Sequence, residues 1–205
     1  FDFDREEYAG ALELTLANFL AIKAIGLITT KMPDGSKGFS LLIILTVEFG
    51  TGLQLGFGFT LLGVGGLLGL NRAANGEALV AGIRAGSVAN IMFPRDVVAN
   101  APRIISDLRA FFPAEEGKFL IGPMLKIGWG SPSLISVSLG IIVELSTQGG
   151  FSVQSLTILG VLKVALPTEE APLLVLQVQF LGRIEFDKRR AYFFASLYDS
   201  RILFL

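Results

Sequence analysis

Bulky apolar residues recur at every second position along most of this chain, and this spacing constrains the fold more than any other feature. Side chains of an extended strand point alternately to the two faces of a sheet, so a period of two predicts β-strands. The pattern is clearest between residues 52 and 61, where glycine, glutamine and threonine fill the other parity. The apolar parity there consists of Leu53, Leu55, Phe57, Phe59 and Leu61.

Turn residues divide the alternating stretches into strands. Residues 32–38 contain a proline and an Asp-Gly pair, and they predict a hairpin between residues 11–30 and 39–49. After Gly117, five consecutive segments joined by short loops predict an up-and-down meander. Together with three N-terminal segments, they predict about eight strands in a strongly curved antiparallel sheet or a partly closed barrel.

The interior of this sheet is expected to be apolar. In residues 135–145 the apolar side chains all lie on odd positions, and we expect them to face inward. Residues 41–47 and 173–178 are apolar on both parities, so their strands need cover on both faces. The side chains expected to face inward are Ile135, Val137, Leu139, Ile141, Val143 and Leu145.

The composition changes between Asn71 and Gly117, where helical patterns replace the alternation. Asn75 is a suitable N-cap for a first helix, and Pro102 lies just inside the start of a later one that Pro113 ends. We therefore expect short helices over about residues 75–112, packed on the sheet. Residues 1–205 are predicted to form a single β-rich domain, with a helical insert at residues 72–117.

The chain contains no histidine and no cysteine. This excludes Ser-His-Asp and Cys-His nucleophiles, His- or Cys-ligated metals and imidazole acid–base chemistry. We predict that the protein is not an enzyme and that it uses no metal or cofactor. Lys and Arg total 17 against 18 for Asp and Glu, and the basic residues are scattered, so nucleic acid is not expected as a partner.

Residues 49–71 carry no charge over 23 positions, which is long enough for a membrane helix. The period of two and the many glycines favour a buried pair of Gly-rich strands instead. An outer-membrane barrel also uses alternating strands. The helical insert and the strands that are apolar on both parities oppose that interpretation, so membrane contact is an alternative that we do not favour.

Polar residues offer few candidate sites. Glu115-Glu116 and Glu169-Glu170 adjoin prolines and are expected to be solvated turn residues rather than catalytic carboxylates. Asp199 and Arg201 lie two positions apart, a spacing that suits a salt bridge or the protection of a sheet edge. The candidate surface for an apolar ligand or a partner consists of Leu53, Leu55, Phe57, Phe59, Trp129, Tyr192 and Tyr198.

Four segments carry a resemblance: residues 93–104, the Phe-Phe-Pro at 111–113, the Ile-Gly-Pro-Met-Leu-Lys-Ile-Gly-Trp-Gly-Ser-Pro at 121–132, and the Ala-Ser-Leu-Tyr-Asp-Ser-Arg-Ile at 195–202. They resemble a part of very long, β-rich bacterial proteins classed as a domain of unknown function. The resemblance transfers no catalytic residues. It implies a fragment of a longer chain whose strands continue past both ends, and the apolar stretch at residues 201–205 agrees with that expectation.

Two hypotheses for function follow. In the first, the sheet forms a trough or tube whose apolar interior binds or conducts a lipid acyl chain or another apolar molecule. In the second, the domain is a structural building block whose apolar surface is covered by neighbouring domains of the same chain or by further copies.

Overall fold

Ten strands form one antiparallel sheet in the computed structural model, which describes residues 1–17, 19–131, 133–167 and 172–203. Strands β1 to β8 pair in chain order, and β9 and β10 both pair with the remaining edge of β8. The strands are β1 (Glu7–Leu16), β2 (Leu20–Lys31), β3 (Lys37–Gly56), β4 (Phe59–Arg72), β5 (Ala114–Trp129), β6 (Ile135–Ser146), β7 (Ser152–Leu166), β8 (Leu174–Glu185), β9 (Arg190–Leu197) and β10 (Arg201–Ile202).

The predicted β-rich antiparallel meander is therefore confirmed. The expectations of a partly closed barrel and of about eight strands are not confirmed, because the sheet is not closed and the described residues form ten strands. One extra strand arises where residues 11–30, expected as a single segment, form both β1 and β2. Another arises from the C-terminal segment, which forms β9 and the two-residue β10.

The chain also reverses inside the stretch that alternates most cleanly. Phe57 and Gly58 both have positive φ, at 52° and 80°, as a tight hairpin turn of the primed type requires. Leu53 is consequently paired with Leu61 on the adjacent strand. Residues 53–61 therefore belong to two strands and the turn between them, although the apolar period continues through the turn.

Three helices lie between β4 and β5 in the described chain: α1 (Gly76–Ala85), α2 (Ala89–Met92) and α3 (Ala101–Phe111). The Asn75 side chain accepts a hydrogen bond from the Ala78 amide at 3.1 Å and so caps α1, as its sequence predicts. Pro102 lies in the first turn of α3, where its missing N–H costs no helical hydrogen bond.

The helices contact strands at both sides of the sheet. Arg109 on α3 donates to the Glu7 carboxylate of β1 at 2.6 Å, and Gln179 on β8 donates to the Gly86 carbonyl after α1 at 3.2 Å. In a flat sheet, β1 and β8 would be about 34 Å apart, whereas α1 and α3, which pack against each other at Gly82 and Phe111, together span only about 20 Å. The sheet must therefore curve around the helices.

We call the sheet face that contacts the helices the inner face and the opposite face the outer face. The hydrophobic core lies at the inner face, where Leu27, Leu42 and Leu120 from the strands are fully buried. Ile83 on α1 and Leu108 on α3 belong to the same buried cluster. The helices thus cover the inner face only.

The alternation in β6 points the opposite way from the prediction. Ile141 is 42% exposed, whereas its neighbour Ile142 is 1% exposed and faces the helices. The register places the whole odd set, Ile135, Val137, Leu139, Ile141, Val143 and Leu145, on the outer face. The prediction that this set faces inward is wrong, because alternation identifies residues that share a face but not the face that the helices cover.

Candidate functional site

Away from the β2–β3 turn, where Lys31 and Lys37 are paired, the outer-face positions defined below carry no charged side chain. One continuous row across nine strands illustrates this: Leu14, Ile22, Val47, Val64, Leu125, Leu139, Gly160, Phe180 and Ala195. On β1 to β3 the outer face comprises the even positions of 8–16 and 20–30 and the odd positions of 39–49. On β4 to β6 it comprises positions 59, 61, 64, 66, 68 and 70 and the odd positions of 119–129 and 135–145. On β7 to β9 it comprises positions 153, 156, 158, 160, 162, 164 and 166, the even positions of 174–184 and the odd positions of 191–197.

These apolar side chains are accessible. Leu12 on β1 is 57% exposed, Leu45 on β3 is 47% exposed, and Ile121 on β5 is 49% exposed. Nine strands at their usual spacing and about 33 Å in length cover on the order of 1,400 Å², whereas a contiguous apolar patch on a soluble monomer rarely exceeds a few hundred Å². A face of this size and composition is typical of a surface that contacts another apolar body.

Aromatic residues lie at both ends of the outer face. Phe39 and Phe119 occupy one end, whereas Trp129 lies at the other end of β5 and Phe49 lies opposite Leu20, at the end of β2. Ten residues separate the aromatic pair on each strand, which corresponds to about 33 Å of extended chain. Tyr8 and Phe59 add one further aromatic ring to each end. Aliphatic residues fill most of the area between these two aromatic groups.

A shallow groove of about 400 Å³ lies on the outer face across β7, β8 and β9. Its walls include Ile158 and Phe193, and its floor includes Gly182, which has no side chain. The rings of Phe180 and Phe193 stack beside it, with their centroids 6.1 Å apart. Its volume falls in the lower part of the range found for small-molecule sites.

Lys23, Glu48 and Lys126 lie on the inner face, where they form ion pairs. Lys23 and Lys126 donate to the two oxygens of Glu48 at 2.7 and 2.8 Å. Burial alone would raise the pKa of Glu48, but the charges and hydrogen bonds of Lys126 and Lys23 outweigh it and hold the pKa below its ordinary value. Lys23 also donates to the Pro94 carbonyl at 2.8 Å, which ties β2 to the helical insert.

A second ionic cluster joins β8 to the start of the insert. Arg183 donates to Glu185 at 3.1 Å and to the Ala74 carbonyl at 3.0 Å, while Arg190 donates to Glu185 at 2.8 Å. Burial opposes ionisation of Glu185, but its hydrogen bonds to Arg190 and Arg183 outweigh burial and lower the pKa. These groups are largely paired with one another, which is typical of a structural network.

The predicted apolar surface residues do not form one site. Leu53 and Leu55 lie near the tip of the β3–β4 hairpin, and Phe57 at its turn is 99% exposed. Phe59 is paired with Trp129 at the same end of the outer face.

Tyr192 and Tyr198, by contrast, lie on the helix side of the sheet. The Tyr192 hydroxyl occupies the space beside Gly76, and the Tyr198 ring lies against Gly86. The structure therefore brings Phe59 and Trp129 together, with Leu53, Leu55 and Phe57 at the same end, and places the two tyrosines elsewhere.

Most residues of the outer face were not predicted to form a candidate site. A usable signal was present, since the charged residues of the central strands, such as Lys23, Glu48 and Lys126, all fall on the parity opposite to the outer face. Because the helical insert covers the face that carries these charged residues, the apolar residues of the same strands are left on the uncovered face.

The polar candidates do not form a catalytic site among the described residues. Asp199 and Arg201 are exposed, and no salt bridge joins them in the described part of the chain. Glu115 and Glu116 are exposed but belong to β5, so the prediction that they are turn residues is wrong. Glu169 and Glu170 lie outside the described residues.

The described residues contain no cluster of three or more side chains suited to hold a metal ion. In residues 1–17, 19–131, 133–167 and 172–203, no helix has the length and hydropathy of a membrane span. The uncharged stretch at residues 49–71 forms parts of β3 and β4 and the turn between them, so the prediction of two strands is confirmed over that of a helix. The prediction that this pair is buried is wrong, because Leu53, Leu55 and Phe57 are exposed beside the turn of the hairpin.

Comparison with known proteins adds a family but no activity. No curated protein matches the chain, and no solved structure matches it. The sequence model of a family of unknown function, DUF6603, matches residues 1–205, which confirms the resemblance to a domain of unknown function. The chain therefore belongs to the DUF6603 family.

Proposed function

We propose that this domain is a non-enzymatic β-module that binds lipid acyl chains through the outer face of its sheet. The observation that carries the proposal is the continuous, uncharged and exposed apolar surface across nine strands. Transfer of apolar surface out of water contributes about 25 cal/mol per Å², so a surface of this extent favours an apolar partner strongly.

The arrangement of residues on the outer face supports hydrocarbon as that partner. The two aromatic ends are about 33 Å apart along β3 and β5, close to the roughly 30 Å thickness of a bilayer's hydrocarbon core. Tryptophan and tyrosine favour the boundary between hydrocarbon and water, because their rings combine apolar and polar parts. Trp129 and Tyr8 occupy such boundary positions at opposite ends of the face.

The groove beside Phe193 offers a place for a single chain. An acyl chain is a flexible apolar rod, and an open groove with a glycine floor accommodates it without displacing side chains. Arg183 is the one charged residue in the described lining of the groove, and it is buried and paired with Glu185, so an acyl chain there leaves no unpaired charge without solvent. In this respect the proposal differs from the sequence-based hypothesis, which assigned the apolar interior of a trough to the ligand.

Native mass spectrometry of the purified protein, followed by lipid extraction, tests the proposal. We expect a lipid to copurify and to be released only on denaturation. Ile158→Lys places a charge on the groove wall, where the side chain is 40% exposed, and it should reduce lipid content severalfold. The matched control is Val98→Lys, because Val98 is 60% exposed but lies before α3, away from the sheet face.

A lipid-free wild-type protein would contradict the proposal. The lipid-free protein could instead form dimers or larger assemblies that Ile158→Lys dissociates and Val98→Lys does not. That result would identify the outer face as an interface between sheets. The second candidate, a structural building block, predicts that result. It draws support from the open edges of the sheet at β1 and at β9 and β10, where backbone groups are available to a further strand.

A further inference from the structure

A cavity of about 710 Å³ lies between the inner face of the sheet and the segment that joins α2 to α3. It is on the opposite side of the sheet from the proposed lipid surface. Its walls combine Arg95 and Arg103 from the insert, Lys126 and Lys163 from the strands, and Arg201 from β10. We call this space the basic cavity.

Basic side chains outnumber acidic ones in its wall. Asp199 is the one acidic residue among the described residues that line it, against the five basic residues named above. Lys126 is already paired with Glu48, and Lys163 also interacts with another residue, so the positive charge that is available to a ligand rests on the three arginines. Asp107, one turn after Arg103 on α3, offsets part of the charge of that residue.

The three arginines reach the basic cavity from separate parts of the chain. Within the described chain, Arg95, Arg103 and Arg201 form no salt bridge, and all three are exposed. Arg103 projects from α3, whereas Arg201 belongs to the short strand on β8. Guanidinium groups that line one cavity and form no salt bridge are suited to bind carboxylates and phosphates, with two parallel hydrogen bonds from each planar group.

Neutral hydrogen-bond donors complete the wall. Ser136 and Ser138 lie on the inner side of β6, Gln177 lies on β8, and Asn90 lies on α2. Hydroxyl and amide groups donate to the oxygens of an anion without adding charge. A second inner-face cavity, of about 360 Å³, is lined instead by both signs of charge, including the paired Arg183, Glu185 and Arg190, so the basic excess is specific to one cavity.

We propose that the basic cavity is a binding site for a phosphate-class anion. The chemistry is the same whether the phosphate is free or belongs to a lipid headgroup. The site goes beyond the proposed acyl-chain surface, because it lies on the other face and requires no contact with hydrocarbon.

Isothermal titration calorimetry with inorganic phosphate and with pyrophosphate, at low ionic strength, tests the site. We expect saturable binding that weakens at about 150 mM salt, where mobile ions screen exposed charges. The double variant Arg103→Gln/Arg201→Gln should weaken binding about tenfold or more, because it removes two charge-assisted contacts. Arg5→Gln is the matched control, since Arg5 is exposed near the N-terminus and does not line the cavity.

A second titration, with soluble dihexanoyl phosphatidic acid, separates the two sources of phosphate. Tighter binding of this lipid than of inorganic phosphate, lost in the double variant, assigns the site to a lipid headgroup. Equal binding assigns it to free phosphate. The site is overturned if neither probe binds at about 10 mM, where a 1 mM site would be largely filled, or if the double variant binds as the wild type does.

A negative result in the phosphate titrations is distinguishable from a negative result for the proposed lipid surface. Inorganic phosphate has no acyl chain, and Ile158→Lys on the outer face should leave phosphate binding unchanged. Thermal unfolding of the double variant provides a check on folding, and the exposed positions of Arg103 and Arg201 predict an unchanged midpoint.

Discussion

The Nε atom of Arg109 lies 2.6 Å from an oxygen of Glu7, although 102 positions separate the two residues in the chain. This contact connects α3 to β1, the first strand of the sheet. Glu7 also accepts a hydrogen bond from Thr29 at 3.2 Å and lies 3.9 Å from the buried guanidinium of Arg72. The carboxylate therefore neutralises two arginines where the sheet edge meets the insert.

Replacing Glu7 should lower the free energy of unfolding more than replacing its partly exposed partner Arg109. Glu7→Gln leaves Arg72, whose side chain is 2% exposed, without a counter-charge, and we expect a loss of about 3 kcal/mol in the free energy of unfolding. Arg109→Gln should cost only about 1 kcal/mol, because that side chain is partly solvated. Urea unfolding measures both losses, and equal losses would contradict this account of the contact.

Acid should weaken the fold partly through Glu48. Its two lysine partners lower the pKa of Glu48 below the ordinary value of 4.5, despite the opposing effect of burial. A carboxylate with a lowered folded-state pKa stabilises the fold above its unfolded-state pKa, and that stabilisation is lost as the pH falls through the folded-state value. Stability from this group should therefore be constant near neutrality and decline below about pH 4.5.

The Glu48→Gln variant isolates this contribution. We expect its unfolding free energy to fall less steeply with acidification than that of the wild type, when urea unfolding is measured between about pH 5 and pH 3. Asp34→Asn is the comparison: Asp34 accepts hydrogen bonds from Ser36, which lower its pKa, but in an exposed turn, so this variant should change the acid dependence less than Glu48→Gln does. Parallel curves for Glu48→Gln and the wild type would show that the two lysines do not stabilise the ionised carboxylate.

Two adjacent glycines on β4 should respond differently to alanine. A Cβ on Gly65 would lie 2.8 Å from the Leu45 carbonyl oxygen, a backbone atom that has little freedom to move. A Cβ on Gly66, on the outer face, would meet only the Gly122 carbonyl oxygen, at an ordinary 3.5 Å. We expect Gly65→Ala to destabilise by about 1–3 kcal/mol and Gly66→Ala to be neutral or stabilising by up to about 1 kcal/mol. Similar unfolding midpoints for the two variants would contradict the assigned faces.

Neighbouring residues on β3 provide a direct test of which face is buried. Ile44 is 1% exposed and contacts the core, whereas Leu45 is 47% exposed on the outer face. Truncation of the buried residue, Ile44→Ala, should cost about 2–5 kcal/mol. Leu45→Ala should cost less than about 1 kcal/mol in lipid-free protein, as measured by urea unfolding. A larger loss for Leu45→Ala than for Ile44→Ala would contradict the account, because it would mean that the core lies on the face assigned as the outer face.

The sequence predicts the strands well because alternation is a local property of the chain. It does not predict which parity is buried, since that depends on where the insert packs. The ordinary expectation that apolar residues face the interior gave the wrong orientation for Ile141 and its set. Charges on Lys23, Glu48 and Lys126 lie on the covered side, where they satisfy one another.

The candidate surface was predicted only in part, for a related reason. Phe59 and Trp129 belong to the outer face, but their proximity depends on pairing between β4 and β5, which are separated in sequence by the whole insert. Phe57 was assigned to a strand because a turn of two residues leaves the apolar period intact. The basic cavity depends on three arginines from distant segments, and no local pattern connects them.

Fluorescence quenching of Trp129 by phosphatidylcholine that is brominated on its acyl chains tests the central claim most directly. Trp129 is the single tryptophan of the chain and lies at one end of the outer face, 44% exposed. We predict a blue-shifted emission and strong quenching with brominated vesicles, and no quenching with unbrominated ones. Unchanged Trp129 emission in the presence of both vesicles would contradict the account, because it would mean that the outer face does not contact hydrocarbon.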